Sequence, residues 1–503
     1  MTGGQNRRLV DSSTVNWLLG YHGGTQGDAY YNGWVNDSTQ AVNYGGNLYA
    51  GMVPGPGVNS LVYQNGLLLA SNQTGTTAPG TLRLGGGAET SFGDIGELLV
   101  FDSVLTEEQR LQVEQYLQAK WQGVLPATSP VSITASGAIL DLNGQNQQIG
   151  SLSGVAGSRV RLNGGWLSTG MANVSSTFAG VIEEGAVAGG GLTKNGTGDL
   201  ILEGTESNTY TGLTVLGAGR LGLAKTGGAY AISGNFTGIN NASPEVYTLA
   251  DNQFAPGTVM YFQGNEGDHV RFELLGTTQT LAGIDNSASS GRGVIQHNEQ
   301  SGRTQVGAAS TLILNGAGTY SFNGYLRNYG LLNVIKNGTG TQTLTRAGDR
   351  FRFGTTAEDL ASLTLNSGVV NVGNTYVVFG EAGGGATGLT INGGIFNHTG
   401  TGGTYLTNAT GAPSTLTVNA GGSYLDAGPL WSQSNAGTMQ INGGTVSFAL
   451  GGGVLGNGGT GVINLDSGAL TFAAGQHIGG AGTAWLNQTG GTTSLCGQMN
   501  VAN

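Results

Sequence analysis

The densest group of side chains that could do chemistry lies in the middle of the chain. Carboxylates beside a histidine or an arginine are the groups that cleave polysaccharides by general acid and base catalysis. One short stretch contains six such residues: Asp251, Glu266, Asp268, His269, Arg271 and Glu273. Their types permit a polysaccharide lyase or hydrolase, but an exposed loop or an edge strand is the favoured interpretation.

The other carboxylates are too incomplete or too sparse to form a catalytic pair. Asp94 and Glu97 match the end of the Glu-x-Asp-x-x-Glu strand of jelly-roll glycosidases, in which two carboxyls act as nucleophile and acid. Phe92 occupies the position of the nucleophile, so this pair is incomplete. The candidates in the last third are widely spaced acids: Glu381, Asp426 and Asp466. The sequence therefore predicts no catalytic residues, and we expect the protein not to be an enzyme.

A group of rings near the start of the chain is the best candidate for binding a sugar, because an aromatic ring offers an apolar face on which a sugar can stack. The group consists of Tyr21, His22, Tyr30, Tyr31 and Trp34. The same residues also suit the core of a jelly-roll sheet, and both interpretations remain open at this point.

No metal site and no cofactor are expected. The five histidines are scattered without the spacing of metal ligands, and no calcium-binding glycine–aspartate phrase is present. Cys496 is the only cysteine, so an intrachain disulfide is impossible. We expect it to be a small buried core residue.

Composition narrows the class of protein. The 503 residues include 96 glycines but only 9 prolines, without a three-residue glycine period, which excludes collagen and a proline-rich linker. Charged residues make up 9% and the net charge is −11, which with abundant Thr, Ser and Asn is typical of a secreted all-β protein. No Lys or Arg follows Arg352. This absence argues against binding to nucleic acid or anionic lipid.

A phrase repeated in the last third indicates how the elements are arranged. Alternating apolar residues are followed by Asn or Asp, a small residue and Gly, at 363–368, 389–394, 416–421, 439–444 and 463–468. The closing glycines are 23 to 27 residues apart, which is typical of a stacked solenoid. We predict turns, with Asn side chains stacked as an amide ladder, at Asn366, Gly368, Asn392, Gly394, Asn419, Gly421, Asn442, Gly444, Asp466 and Gly468.

Residues 1–124 follow a different pattern. Asn65-Gly66 separates two apolar runs and predicts a β-hairpin, and further strands are expected at 15–21 and 95–102. Thr106 and Gln109 form a capping box that begins a helix. One face of this helix is expected to pack against the sheet: Val113, Tyr116, Leu117 and Trp121.

Two segments resemble known families. Residues 93–121 (GDIGELLVFDSVLTEEQRLQVEQYLQAKW) resemble the end of a laminin-G-like, concanavalin-type domain, although 1–124 is short for a complete jelly roll. Residues 189–223 are similar to the autotransporter-associated β-strand repeat, with its Gly-Leu-Thr-Lys-x-Gly-x-Gly start and Asn-Thr-Tyr-Thr-Gly at 208–212. Residues 334–348 match only the first half of that repeat. The resemblances imply a lectin-like sandwich and a right-handed parallel β-helix of a large exported bacterial surface protein, and no activity.

The expected fold class is therefore all-β. A concanavalin-like jelly-roll sandwich with one C-terminal helix (1–124) is followed by a linker (125–131) and a long parallel β-helix (132–503) with rungs of about 20–27 residues. About fifteen rungs at 4.8 Å would span roughly 70 Å.

The favoured function is a non-enzymatic extracellular structural or adhesive surface protein. A carbohydrate-binding surface protein is the first alternative, and a β-helix polysaccharide lyase or hydrolase is the second. The expected partners are polysaccharides or other cell-surface components and, end to end, further copies of the chain, but not nucleic acid or the membrane interior. We expect the chain at the bacterial cell surface or outside the cell, with the export signal and the anchor outside this sequence.

Overall fold

The computed structural model describes residues 8–42, 46–84, 95–122, 125–239, 243–263, 269–288, 292–298, 308–327, 331–345, 348–354, 359–380, 388–408, 413–433 and 435–501. The chain divides into two compact units, Met1–Pro126 and Ala127–Asn503. Within the described residues, the sheets of the first unit are antiparallel and those of the second are parallel.

The first unit consists of two small sheets and a helix. Its described elements are β1 (Val10–Ser12), β2 (Trp17–His22), β3 (Thr25–Tyr31), β4 (Trp34–Asn36), β5 (Tyr49–Met52), β6 (Ser60–Gln64), β7 (Leu67–Asn72), β8 (Leu82–Leu84), α1 (Glu107–Leu117) and a π-helical turn (Gln118–Gln122). One sheet has the order β4-β3-β2-β1-β8 and the other β5-β6-β7. Val62 of β6 joins Trp17, Ala29, Tyr31 and Val35 of the first sheet in one buried core, as in a β-sandwich.

The predicted hairpin and helix cap are confirmed. Asn65 and Gly66 both have positive φ, 51° and 85°, as a two-residue turn between β6 and β7 requires. The Thr106 hydroxyl accepts from the Gln109 backbone N–H at 3.2 Å, and the Gln109 side chain accepts from the Thr106 N–H at 3.0 Å. Two orphan donors at the helix start are thereby satisfied.

The predicted orientation of this helix is wrong. Tyr116 and Trp121 are exposed, and Val113 and Leu117 are only half-buried. The buried face instead carries an ion pair of 2.6 Å between Arg110 and Glu114. The Arg110 guanidinium lies 3.8 Å from the centre of the Tyr63 ring, so an aromatic surface covers the cation.

The predicted strand at 95–102 is not formed either. Leu98, Leu99, Val100 and Phe101 are 39–65% exposed, and no described strand pairs with this segment. An apolar run becomes a strand only where a neighbouring strand can take its backbone hydrogen bonds.

The second unit is built from short strands. Its first half contains β9 (Pro130–Ile133), β10 (Ile139–Asp141), β11 (Gln147–Ile149), β12 (Ser151–Gly154), β13 (Arg159–Arg161), β14 (Trp166–Thr169), β15 (Ser176–Phe178), β16 (Val181–Glu183), β17 (Gly191–Lys194), β18 (Asp199–Gly204), β19 (Thr214–Leu216), β20 (Arg220–Lys225), β21 (Phe236–Ile239), β22 (Glu245–Thr248), β23 (Val259–Gln263), β24 (His269–Glu273), β25 (Thr278–Leu281), β26 (Gly283–Asp285), β27 (Arg292–Gln296), β28 (Ser310–Leu314), β29 (Thr319–Asn323) and β30 (Tyr325–Arg327). Its second half contains β31 (Leu332–Lys336), β32 (Thr341–Thr345), β33 (Arg350–Phe353), β34 (Ser362–Leu365), β35 (Val369–Val372), β36 (Tyr376–Phe379), β37 (Gly388–Ile391), β38 (Gly394–His398), β39 (Gly403–Tyr405), β40 (Ser414–Asn419), β41 (Gly422–Asp426), β42 (Leu430–Trp431), β43 (Ala436–Phe448), β44 (Val454–Leu455), β45 (Thr460–Phe472), β46 (Gln476–Ile478), β47 (Thr483–Gln488), β48 (Thr492–Leu495) and β49 (Met499–Val501).

These strands form a parallel β-solenoid of about 14 turns, as the sequence predicts. A turn contributes one strand to each of three faces, for example β34, β35 and β36. The first face contains β10-β13-β16 and, farther along, β25-β28-β31-β34-β37-β40. The second contains β11-β14-β17-β19-β21-β23-β26 and then β29-β32-β35-β38-β41. The third contains β9-β12-β15-β18-β20-β22-β24-β27-β30, then β33-β36-β39-β42 and β44-β46-β49.

The core of the solenoid consists of columns of inward side chains. Alternate residues of a strand point inward and lie over the residue at the same position in the next turn, as Leu363, Leu389 and Leu416 do. These three leucines are at most 1% exposed. Burying one leucine side chain contributes about 1.5–3 kcal/mol. Because the leucines of adjacent turns bury one another, each turn is stabilised chiefly by its two neighbours.

The predicted turn glycines are correct except at one position. Gly368, Gly394, Gly421 and Gly468 have φ of 76° to 93°, which an L side chain rarely adopts. Gly444 does not, and the positive φ (94°) belongs to Gly443 instead. A register shift opposite this corner accompanies the move of the left-handed residue by one position toward the N-terminus.

The predicted asparagine ladder runs along this edge of the stack. Each of four amides donates Nδ2–H to the Oδ1 of the asparagine one turn before it, at 2.7 to 3.0 Å. The members are Asn337, Asn366, Asn392, Asn419 and Asn442. None of them has a positive φ, so their role is the side-chain ladder and not the left-handed turn. At the next turn stands Asp466, whose carboxylate accepts from Gln440 and Thr489 and has no N–H with which to extend the ladder.

In the first half of the solenoid, charged side chains take the place of these amides. At equivalent positions of successive turns, acids and bases alternate: Asp141, Arg161 and Glu183 on the first face, and Asp199, Arg220, Glu245 and Arg271 on the third. Arg220 lies 3.3 Å from Asp199 and 3.2 Å from Glu245. Like charges stacked at this spacing would repel, so the alternation favours one register of the turns.

Candidate functional site

Strands β2 and β3 position the five predicted sugar-binding residues. The pairs Trp17–Tyr31 and Leu18–Tyr30 put the two successive tyrosines on opposite faces of the sheet. Tyr31 is fully buried and stacks on Trp17, with ring centres 5.1 Å apart. Tyr21 is 2% exposed and meets the Tyr49 ring edge-on. These two rings belong to the core and have no free face for a ligand.

The other three rings form one half-exposed cluster. The Trp34 indole lies between Tyr30, with centres 5.1 Å apart, and His22, with centres 5.5 Å apart. Both neighbours meet it at steep angles, 78° and 61°, so neither lies flat over the indole. This His22–Tyr30–Trp34 cluster is the part of the predicted site that could contact a sugar.

A buried carboxyl fixes the strand below this cluster. Asp28 accepts from the Thr25 hydroxyl at 2.8 Å and from the Ser38 N–H at 2.9 Å. Burial raises the pKa of Asp28, while these two hydrogen bonds and the nearby His22 oppose the rise. Because Asp28 is fully buried, it supports the backbone and does not reach a ligand.

Half of the mid-chain group lies in a central strand. His269, Arg271 and Glu273 belong to β24, which pairs with β22 on one side and β27 on the other, so the prediction of an edge strand or loop is wrong for these three residues. The fully buried Glu273 accepts from the Gln296 amide at 3.1 Å. Asp251, at an exposed corner, accepts from the Thr278 N–H at 2.8 Å. Glu266 and Asp268 lie outside the described residues.

The best-formed polar cluster lies inside the second half and was missed from the sequence. His398 and Asp426 are fully buried, occupy equivalent positions of β38 and β41, and are joined by a 2.8 Å contact between Nδ1 and Oδ1. The histidine Nε2 lies 2.9 Å from the Asn374 carbonyl. A carbonyl only accepts, so Nε2 carries a proton.

Asp426 is surrounded by donors. It accepts from the Gly428 N–H at 2.8 Å and from the Thr404 hydroxyl, which also contacts Tyr424. With these donors, the Nδ1–Oδ1 contact and the Asn374 carbonyl, all four polar side-chain atoms of the buried pair have a hydrogen-bond partner. The alternation Phe396-x-His398 and Tyr424-x-Asp426 was the available signal, because it places both polar residues at inward positions.

A second polar group lines an open groove of about 700 Å³ on the first half of the solenoid. Its acids are Asp141, Glu183 and Glu184. Glu183 binds Arg159 at 3.0 Å and Arg161 at 2.8 Å, whereas Glu184 accepts from the Gly190 N–H at 2.8 Å and from Thr211. The sequence did not reveal this group because its members come from successive turns.

Of the remaining candidates, Glu97 accepts from the Trp121 indole at 2.9 Å and lies 3.1 Å from Lys120. These contacts lower the pKa of Glu97. Asp94 lies outside the described residues. Glu381 lies outside them as well. Cys496 is exposed on the last turn that the structure describes, so the prediction of burial is wrong.

The described parts of the chain contain no group of three or more His, Cys, Asp or Glu side chains that could hold a metal ion. Among the helices described, none has the length and apolarity needed to cross a membrane.

One comparison with known proteins gives a relative. The chain is 28% identical, over 312 residues, to the Adhesin BmaC autotransporter of Brucella suis biovar 1 (strain 1330). The match covers 57% of this chain but 8% of that protein, so the chain spans only a small part of the relative's length. No family model and no solved structure matches the chain. Over more than half its length, the chain is thus similar to a segment of an autotransporter adhesin.

Proposed function

We propose that this chain is a segment of a non-enzymatic adhesive protein of the autotransporter type, exposed on a bacterial surface. The observation that carries the proposal is the parallel solenoid whose charged side chains are used in ladders and buried pairs along the stack. Such a stack presents a long regular surface. Of the groove acids that the structure describes, Glu183 and Glu184 are bound to arginines or to backbone and threonine donors and are not arranged as a free pair for hydrolysis. The relative, itself named an adhesin, supports the same function.

The proposed identity of each unit rests on the sequence resemblances. In our proposal the first unit is a laminin-G-like contact domain, and the second is a β-helix of autotransporter-associated repeats that holds it away from the cell. The two sheets that share the Trp17 and Tyr31 core support a sandwich of this kind.

Adhesion can be tested with beads that carry the purified full chain. We expect these beads to bind cultured cell layers, or beads carrying the same chain, more strongly than beads that carry serum albumin. Binding no stronger than albumin to both surfaces would overturn the adhesive function. Release of reducing ends from polysaccharides that disappears in Asp251→Asn would overturn the non-enzymatic assignment.

Sugar binding by the first unit is a second candidate, favoured by the half-exposed His22–Tyr30–Trp34 cluster. A glycan array probed with the full chain tests it, with Trp34→Ala as the variant and Trp121→Ala as the matched control in the same unit. We expect Trp34→Ala to remove binding and Trp121→Ala to retain it. Equal binding by both variants would place any sugar site elsewhere.

A further inference from the structure

The third face of the solenoid carries an outward row of aromatic and cationic side chains. At one outward position of β33 and β36 stand Arg350 and Tyr376. The other position begins with Arg352, continues with the buried Val378, and carries Tyr405 on β39 and Trp431 on β42. The five aromatic and cationic residues are half-buried. We call this set the aromatic–arginine row.

The rings of the row contact one another. The Tyr405 and Trp431 ring centres are 5.7 Å apart with planes 11° from parallel, and Tyr376 meets Tyr405 at 5.6 Å and 64°. For nearly parallel rings 3.5 to 4.8 Å apart, this separation means a lateral offset of about 3–4.5 Å. Tyr405 therefore leaves part of the Trp431 face uncovered.

The rings are fixed in these positions by the backbone. The Trp431 indole N–H donates to the Gly402 carbonyl at 3.2 Å. A Cβ at Gly402 would overlap the Tyr376 ring, so the glycine provides the space in which that ring lies. A ligand that stacks on this row would not need to immobilise the rings, which reduces the entropic cost of binding.

The row also carries two cations. Arg350 and Arg352 are the last basic residues in the sequence, and the Arg350 guanidinium lies 3.8 Å from the carboxylate of the adjacent Asp349. The charge of Arg350 is felt by Tyr405, where it opposes the rise in the phenol pKa caused by burial and by Tyr376. A cation beside apolar ring faces recognises a ligand with both an apolar surface and an anionic group.

We propose that the aromatic–arginine row binds a linear acidic polysaccharide, with sugar rings stacked along Tyr376, Tyr405 and Trp431 and carboxylates held by Arg350 and Arg352. A linear glycan presents apolar ring faces and charges along one direction, and this row places two cations on β33 followed by one ring on each of the next three turns. The row lies on the surface of a sheet and not at a sheet edge, so an extended peptide could not add a strand here. The site is separate from the His22–Tyr30–Trp34 cluster, and it names the ligand class of the adhesive function, on which it rests.

The test is direct binding of the purified full chain to polygalacturonate, with neutral galactan for comparison, by affinity electrophoresis and calorimetry. We expect binding to polygalacturonate that weakens as salt is raised, with weaker binding to galactan. Trp431→Ala and Tyr405→Ala should each weaken it by about tenfold or more. The matched control is Trp485→Ala, which removes a 56% exposed tryptophan from another face.

Circular dichroism and hydrogen exchange of each variant show whether the turns remain folded. Loss of binding in Trp431→Ala with protected turns and normal Trp485→Ala supports the row. Failure of the unaltered chain to bind polygalacturonate overturns it, as does equal binding by Trp431→Ala and Trp485→Ala. Because this assay contains no cells, beads that adhere to cells while the chain does not bind polygalacturonate would remove this site but not the adhesive function.

Discussion

Replacing His398 by leucine tests whether the buried His398–Asp426 pair holds the second half of the solenoid together. The variant leaves Asp426 fully buried with its Gly428 and Thr404 donors but without its histidine partner. Removing one partner of a buried pair costs about 3–5 kcal/mol. Since each turn contacts only its neighbours, we expect this loss in the opening free energy of β38, β39 and β41 and not across the whole unit.

Native-state hydrogen exchange of the strand amides measures that local free energy. The double variant His398→Leu/Asp426→Leu also removes the Asp426 carboxyl that the single variant leaves without its partner. The two leucines then continue an apolar column, because Val372 and Phe448 occupy this position in the adjacent turns. We therefore expect it to be about 1–3 kcal/mol more stable than the single variant. Asp466→Asn, at an exposed acid, is the control and should change little. A loss below about 1 kcal/mol for His398→Leu, or a double variant less stable than the single one, would refute the role of the pair.

Burial lowers the pKa of Lys194 and Lys225 to about 8, from 10.5. Between these two pKa values the unfolded chain binds more protons than the folded chain, so the free energy of unfolding should rise from pH 8 to pH 10.5. The rise measured by denaturation should reach up to about 3 kcal/mol per lysine. Lys194→Met and Lys225→Met should each make it smaller. A flat profile would show instead that carbonyl contacts such as Lys194 Nζ to Asn195 O, 2.7 Å, hold the ammonium form. Asn392→Ala removes two ladder hydrogen bonds of 2.7 Å at an exposed edge, and urea denaturation should show a loss of about 1 kcal/mol, with no loss if the ladder is incidental. Gly394→Ala puts a side chain on a residue with φ 79° and against a neighbouring carbonyl. The opening free energy of β38, measured by hydrogen exchange, should fall by more than about 1–2 kcal/mol. An unchanged exchange rate would show that the corner adapts.

The repeated phrase was sufficient to predict the solenoid, because its physics is local. Alternating apolar residues determine which side chains point inward, and glycine permits the left-handed corner, as at Gly368 and Gly394. The exact corner was not predictable at Gly443 and Gly444. Two adjacent glycines can both turn the chain, and the register of the neighbouring turn decides between them.

The polar sites were harder to predict because they depend on contacts between turns. Asp426 was noted as an isolated acid, yet its partner His398 comes from the preceding turn. Of the mid-chain acids that the structure describes, Glu273 is buried beside Gln296, whereas Asp251 lies at an exposed corner and accepts from the Thr278 N–H. In the first unit, alternation in β3 implied that one of Tyr30 and Tyr31 must be buried, but the sequence did not say which.

The predicted buried face of the helix was also wrong. Val113, Tyr116, Leu117 and Trp121 recur at helical spacing, and such a stripe normally marks the buried face. The Arg110–Glu114 pair lies on the buried face instead, since the Tyr63 ring gives the guanidinium a favourable contact. Arg110 and Tyr63 are 47 residues apart in the sequence, so their contact is not visible in the local pattern of the helix.

The parallel ladders also determine how this molecule would respond to a mechanical load. The hydrogen bonds between turns run along the stacking axis, and successive turns are about two dozen residues apart, as Leu363 and Leu389 are. A pull on one end therefore loads the bonds of the terminal turn first, and the stack would peel one turn at a time. Each released turn of about 26 residues adds up to about 90 Å of extended chain. Under shear, the solenoid would lengthen in small steps at nearly constant force, which protects a bond formed elsewhere on the molecule.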